Sequence, residues 1–275
     1  MPTEEEIARH YSHGALERAI LDALQATGKN VDRLDPADLA SVDEFHLGWL
    51  AATVDLANDL ALSPGMRVLD VGSGIGGPAR YFAEHHGCTV TGVDLSDEFV
   101  DVATSLTQRC GLSDLVSFRR ASGVALPFED ETFERATLIH VGMNIADKAG
   151  VFREIHRALR RKGVFAVYDI MNLTGEDLTY PMPWAESLRT SFVEAPQTYR
   201  DLLMQAGFVL RSEKNRREMS LTLGREMREK VAKHGLPPLG PHTMMGAAAP
   251  VRLGNVMAAL AAGTIAPIQM ICQKM

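Results

Sequence analysis

Cysteine is scarce: Cys88, Cys110 and Cys272 are the three in 275 residues, an odd number without C-x-x-C spacing. Neither a disulfide framework nor a zinc site is expected, and a reducing cytoplasm is the expected location. Excess positive charge is missing too, with 28 Lys and Arg against 35 Asp and Glu, a formal net charge of −7. Nonspecific binding to nucleic acid or to an anionic membrane draws its affinity from Lys and Arg that displace counterions, so neither partner is expected. The short basic runs, Arg157, Arg160, Arg161, Lys162 and Arg216, Arg217, read as solvated helix ends and loops. The most apolar tract, 258–272, is interrupted by Gly263, Thr264, Pro267 and Gln269 and falls short of the ~20 apolar residues of a membrane span. The opening "MPTEEEIARHY" is acidic and helix-like, unlike a secretory or mitochondrial leader.

What is present is an ordinary globular composition, 46% hydrophobic and 23% charged, long enough for one large α/β domain. Thr3 and Glu6 have capping-box spacing, and Ile7, Tyr11, Leu16 and Ile20 recur at helical intervals, which predicts a helix ending near Gly28. A polar connector, "GKNVDRLDPADLA", leads to a second expected helix over 43–61, with Phe45, Trp49, Ala52 and Leu56 on one face. From Arg67 onward β-branched runs alternate with helical ones: "RVLDV", "CTVTGVDL", "LVSFRRA", "RATLIH" and "GVFAVYDIM" with helices between most of them. Such alternation argues for a doubly wound parallel sheet. The stretch 172–196, rich in Pro, Trp and Met, is too irregular for an element and too apolar for a free linker, and is expected to form a lid together with part of 220–262.

The stretch "VLDVGSGIGGPARYFAEHHGCTVTGVDLS" contains G-x-G-x-x-G at Gly72, Gly74 and Gly77, between a strand and a helix. Glycines there permit a tight turn and close approach of backbone to a ligand. Asp94 ends the next strand, where a carboxylate can bond two ribose hydroxyls. Both features suit a dinucleotide as well as an adenosyl ligand. Asp70 discriminates, because a carboxylate two residues before the first glycine repels a pyrophosphate and attracts the ammonium and sulfonium of S-adenosylmethionine. The turn's backbone N–H groups are expected to meet the ligand's carboxylate. The competing readings are an NAD(P)-dependent dehydrogenase and a noncatalytic protein that only binds S-adenosylmethionine.

With "VLDVGSGIGGPARYFA", "VTGVDLS", "LPFEDETFERATLIHVGMNIADK", "REIHRALRRKGVFAVYDI" and "YRDLLMQAGF" in order, the chain resembles class I S-adenosylmethionine-dependent methyltransferases of the small-molecule type, and among them bacterial sarcosine, dimethylglycine and natural-product enzymes. The resemblance implies a Rossmann-like, seven-stranded, mostly parallel sheet whose last strand, about 264–274, inserts antiparallel beside the fifth. Pro267 then needs a bulge or an edge-facing site. It divides one domain into N-terminal helices (1–62), a cofactor-binding core (63–171), cap and substrate segments with the sixth strand (172–262) and the last strand (263–275). The resemblance also places Asp70, Gly72, Ser73, Gly74 and Gly76 or Gly77 around the cofactor's methionine part, and Asp94 with Leu95 at the ribose. Ser122, Gly123 and Val124 fall beside the adenine, with Ser122 where the family has an acidic residue. Tyr11 resembles an aromatic that folds over the cofactor.

Methyl transfer needs an aligned acceptor and, for some acceptors, a base. His140, at the end of the fourth strand, is the candidate base and lies beside the cofactor, since open α/β sheets bind ligands at strand C-termini. His46, Trp49, Met143, Asn144, Tyr168, Trp184 and His242 are the candidate acceptor-binding residues. The expected activity is methyl transfer to N, O or C of a small metabolite; the acceptor itself is not legible.

Overall fold

The computed structural model describes residues 4–6 and 14–275. Seven strands, β1 (Arg67–Val71), β2 (Thr89–Asp94), β3 (Val116–Arg120), β4 (Phe133–Ile139), β5 (Leu159–Asn172), β6 (Phe208–Asn215) and β7 (Ile265–Lys274), form one sheet. Their order is β3-β2-β1-β4-β5-β7-β6. All pairs from β3 to β5 are parallel, and β7 runs antiparallel between β5 and β6. The expected doubly wound sheet with an antiparallel last strand is therefore present. The central strand β1 is buried from its second residue to its last, which is why "VLDV" reads as a continuous apolar run broken only by Asp70.

Pro267 pairs with Ile170 of β5. Its carbonyl accepts from the Arg216 N–H at 2.9 Å, on the side where the pairing with β6 stops at Asn215–Ile268. Carbonyl and nitrogen of one strand residue face the same side, so the missing N–H costs the ladder with β5 nothing.

Strand order reverses between β1 and β4, because the chain winds outward through β2 and β3 and then crosses back. At such a switch point the two flanking loops diverge and leave a crevice at the strand C-termini. The loop after β1 carries the glycine turn, and the loop after β4 begins at His140.

The N-terminal region differs from expectation. The connector contains a helix, Pro36–Asp43, started by a capping box: the Asp35 side chain accepts from the Ala37 N–H, the Asp38 side chain from the Asp35 N–H, and Pro36 fills the first turn. "DPAD" held that signal. The helix expected over 43–61 begins at Trp49 and ends at Asp59, because Gly48 takes a left-handed φ of 95° and residues 44–48 turn over the strand ends. Phe45 thus leaves the helical face of Ala52 and Leu56. The helix Leu16–Ala26 buries Leu16, Ile20 and Leu24; Tyr11 lies outside the described residues.

Arg80, in the helix Gly77–His86, is fully buried and ties these parts together. Its guanidinium donates to Asp43 Oδ2 at 2.8 Å, to the Ile75 carbonyl at 2.7 Å and to Thr107 Oγ1 at 3.0 Å. Burial pushes the Asp43 carboxyl up to about 6, with Arg80 pulling it down and Glu44 pushing it further up. Removing one partner of such a pair leaves an uncompensated buried charge. Arg80→Met is expected to lose about 3 to 5 kcal/mol of unfolding free energy, measured by urea titration, and Arg80→Met/Asp43→Asn to recover part of that loss; a double variant as unstable as the sum of the singles would show the contact to be incidental.

Candidate functional site

Three glycines make the turn after β1: Gly72, Gly74 and Gly76 have φ of 73°, 54° and 88°, a region that other residues enter only with strain. At Gly72 space is also lacking, since a Cβ there would stand 2.3 Å from Val141 Cγ2. Gly77 has a different reason: its Cβ would stand 2.5 Å from the Asp43 carbonyl oxygen, so it lets the helix Pro36–Asp43 pack closely. Gly72 and Ser73 donate their N–H groups to the Val93 carbonyl, at 2.7 and 3.0 Å, and Gly74 donates to Asp94 Oδ2 at 2.9 Å. These three N–H groups, expected to face a ligand carboxylate, are thus satisfied within the protein. Ser73 Oγ, by contrast, is buried and has no hydrogen-bond partner.

Asp70 is 2% exposed. Its Oδ1 accepts from the Thr137 hydroxyl at 2.7 Å, and its Oδ2 is buried without a partner among the described residues. Burial pushes its carboxyl up to about 6; the Thr137 bond lowers it, while the nearby Glu44 and Asp94 charges raise it. Asp94 also accepts from the Ser96 N–H at 3.0 Å, and burial raises its carboxyl as well. Each Asp94 oxygen keeps lone pairs for a further donor.

One cavity follows from this geometry. Its wall includes Asp43, Asp70 and Asp94 with Ser73, and among the described residues it includes no Lys or Arg. Lys148, a buried amine nearby, donates from Nζ to the Ile145 and Phe192 carbonyls. Much of the rest of the wall is apolar, with Phe45, Met143, Ile145, Met244, Leu253 and Val256. Trp184 also lines the cavity while being 3% exposed. Its indole donates to Ser191 Oγ, and its carbonyl accepts from Asn144 Nδ2, both at 2.9 Å. Stretch 172–196 is therefore fastened onto the strand ends as a cap.

Most of the predicted residues converge here. Gly72, Gly74, Leu95, Gly123 and Val124 line the cavity with Asp70, Ser73 and Asp94. His46, Trp49, His140, Met143, Asn144 and Trp184, expected at the acceptor, line it too. His140 has a left-handed φ of 53°, and its Nε2 is buried and unpartnered. Burial pushes its imidazole well below 6.5, so the ring is neutral, with His46 adding to that effect.

Other predicted residues lie outside the wall. Gly77 serves packing. Tyr168 stands behind His140, with ring centroids 5.2 Å apart, and donates its hydroxyl to the Leu47 carbonyl at 2.6 Å. His242 sits on the short helix Pro241–Met245, which turns Pro241 and Met244 to the cavity instead. Ser122 is replaced at the wall by Glu4, to which its hydroxyl donates, so a carboxylate does stand at that place, supplied from the far N-terminus. Glu44 was missed. Only the "DEFHLG" run adjoining a predicted helix could have pointed to it.

Residues 69–167 match a family model described as a methyltransferase domain. Sterol 24-C-methyltransferase ERG6B of Gibberella zeae is 37% identical over 114 residues, 42% of this chain and 30% of that protein. The chain covers less than half the length of the curated relatives it matches. Among solved structures, geranyl diphosphate C-methyltransferase from Streptomyces coelicolor A3(2), in complex with Mg2+, geranyl diphosphate and S-adenosyl-L-homocysteine, superimposes with a TM-score of 0.71 at 17% identity, covering 100% of this chain and 98% of that one. The [4+2]-cyclase SpnF gives 0.69 at 20%, covering 99% and 97%. At such identities the superpositions show the fold.

The contact between Gly72 and Val141 ties the turn to the His140 loop. Gly72→Ala is expected to destabilise the protein by more than the ~1–2 kcal/mol of a left-handed non-glycine residue, and Gly72→Ala/Val141→Ala to bring the loss back toward that value. Thermal melts of both variants check this; equal losses would mean that the two loops do not meet as described.

Proposed function

We propose that this chain, whose residues 69–167 match a methyltransferase-domain family model, transfers a methyl group from S-adenosylmethionine to a small, uncharged, apolar metabolite. The observation that carries the reading is Asp70 Oδ2, buried and unpartnered on a wall without a described Lys or Arg. A buried carboxylate oxygen left in this way calls for a cationic or donating ligand. When bound, S-adenosylmethionine supplies an electrophilic methyl on a positively charged sulfur. Asp70 would hold the cationic methionine part, with Ser73 Oγ as a donor to its carboxylate. Asp94 would accept from the ribose hydroxyls, and Glu4 beside Ser122 from the adenine amine. NAD(P) fits poorly, since its pyrophosphate would meet Asp70 and Asp94 with no Lys or Arg among the described wall residues to offset them.

The acceptor class follows from the apolar part of the cavity wall. That part rewards apolar area, at ~25 cal/mol per Å², and leaves a phosphate or diphosphate without a described cationic partner. That separates this chain from a geranyl diphosphate enzyme despite the shared fold, and agrees in kind with the sterol substrate named for one relative. Asn144, Trp184 and the cap would keep water from the transferring methyl and hold the acceptor in line. The three free cysteines support a reducing cytoplasm as the location.

Asp70 gives a pH signature. Its carboxyl titrates at about 6 in the free protein, and a bound cation favours the ionised form. Below 6 binding must expel a proton, so affinity for S-adenosylmethionine is expected to rise as pH rises through about 6 and to level off above it. Calorimetry from pH 5 to 8 checks this. Asp70→Asn should flatten the profile and weaken binding roughly 10- to 100-fold at pH 8; a flat wild-type profile, or NADH bound more tightly, would contradict the assignment. In a metabolite screen read by S-adenosylhomocysteine release, apolar alcohols, phenols and alkenes should be used in preference to phosphorylated compounds.

A further inference from the structure

Residues 44–48 turn over the C-terminal ends of β4 and β5, fastened where Leu47 accepts from Tyr168. Within the turn two buried ionisable side chains face each other: Glu44 is 3% exposed and His46 8%. His46 Nε2 lies 2.8 Å from Glu44 Oε2 and 3.1 Å from Thr53 Oγ1, and the Thr53 hydroxyl donates to the same carboxylate oxygen at 2.5 Å. A carboxylate only accepts, so Nε2 carries the hydrogen, and whenever the ring is neutral its lone pair is on Nδ1. That Nδ1 is buried and has no partner among the described residues, while His46 lines the cavity 5.7 Å, ring to ring, from His140. Among the described residues His140 has no carboxylate against it and its Nε2 is without a partner; its ring stacks on Tyr168.

From this geometry we infer that Glu44 and His46 form a buried base dyad: Glu44 is a positioning residue that fixes the tautomer, and His46 Nδ1 takes the proton of a hydroxyl on the acceptor. The inference rests on the methyl-transfer reading and narrows its acceptor to an apolar alcohol or phenol. Two unpartnered imidazole nitrogens on an apolar wall favour a ligand that donates a hydrogen bond there, which an alkene cannot do. In the step the acceptor O–H bond breaks and its proton goes to Nδ1. The oxygen electron pair forms the new O–C bond, and the S–C pair stays on sulfur as a thioether. The imidazolium that forms faces the Glu44 carboxylate, whereas an imidazolium at His140 would have no such partner. Proton removal thus falls to His46, and His140 is left to orient the hydroxyl.

The test uses 2-naphthol and naphthalene as probes, without cofactor, on protein carrying 15N-labelled histidine. In the wild type, His46 is expected as the Nε2–H tautomer, its Nδ1 resonance moving when 2-naphthol binds, and 2-naphthol should bind at least ~10-fold more tightly than naphthalene. Glu44→Gln should lose the tautomer preference and most of the hydroxyl preference while naphthalene affinity stays within about twofold. His46→Phe should abolish the preference. A wild-type Nδ1–H tautomer overturns the dyad, as does a hydroxyl preference that survives in His46→Phe. Equal loss of both affinities in Glu44→Gln would mean that Glu44 only holds the turn together, which also overturns it. Calorimetry with S-adenosylmethionine on the same wild-type sample tests the methyl-transfer reading separately, because neither probe experiment needs the cofactor.

Discussion

The contact between Asp43 and Arg80 is the constraint on which the site depends. It is a charge pair almost wholly removed from water, and its hydrogen bonds reach the glycine turn through Ile75 and the helix Asp97–Arg109 through Thr107. Asp43 is the last residue of its helix, so the pair decides where residues 44–48 leave that helix. Gly77 allows the approach by having no side chain where the Asp43 backbone lies. Without this tie, Glu44 and His46 would have no fixed relation to Asp70 and His140.

Around that tie, charge is arranged in one sense. Asp43, Glu44, Asp70 and Asp94 approach one another at the switch point of the sheet, and burial raises the carboxyls of Asp43, Asp70 and Asp94. Such crowding is unfavourable in the free protein and is relieved by a cation. The apolar part, by contrast, is assembled from the cap, the strand ends and the C-terminal helices, with Leu47, Met143, Met182, Trp184 and Val256 in one packed cluster. On the proposed reading, cofactor and acceptor recognition would rest on different physics, charge on one side and apolar area on the other. The same fold also serves a [4+2]-cyclase, so the chemistry is decided by these side chains.

The sheet was legible because its central strands are largely buried and read as β-branched runs between helices. The glycine turn was legible because positive φ selects glycine, and Asp70 because a carboxylate in an apolar strand is conspicuous. Other features were not. The role of Gly48 in ending the helix before Trp49, and the contact between Glu44 and His46 two residues apart in an irregular turn, depend on tertiary packing that no period announces. Glu4 reaches Ser122 across 118 positions, a pairing with no local signature. Tyr168 was expected at the acceptor because it ends a strand, but the turn 44–48 lies over it and takes its hydroxyl.

A crystal structure of the complex with S-adenosylmethionine tests the central claim most directly, that the buried carboxylates make this crevice a site for a cationic adenosyl ligand. Expected is the ligand's ammonium or sulfonium against Asp70 Oδ2, with the ribose on Asp94 and the methyl directed toward His46 and His140. A ligand whose positive groups lie away from Asp70, or one that occupies only the apolar part, would contradict it.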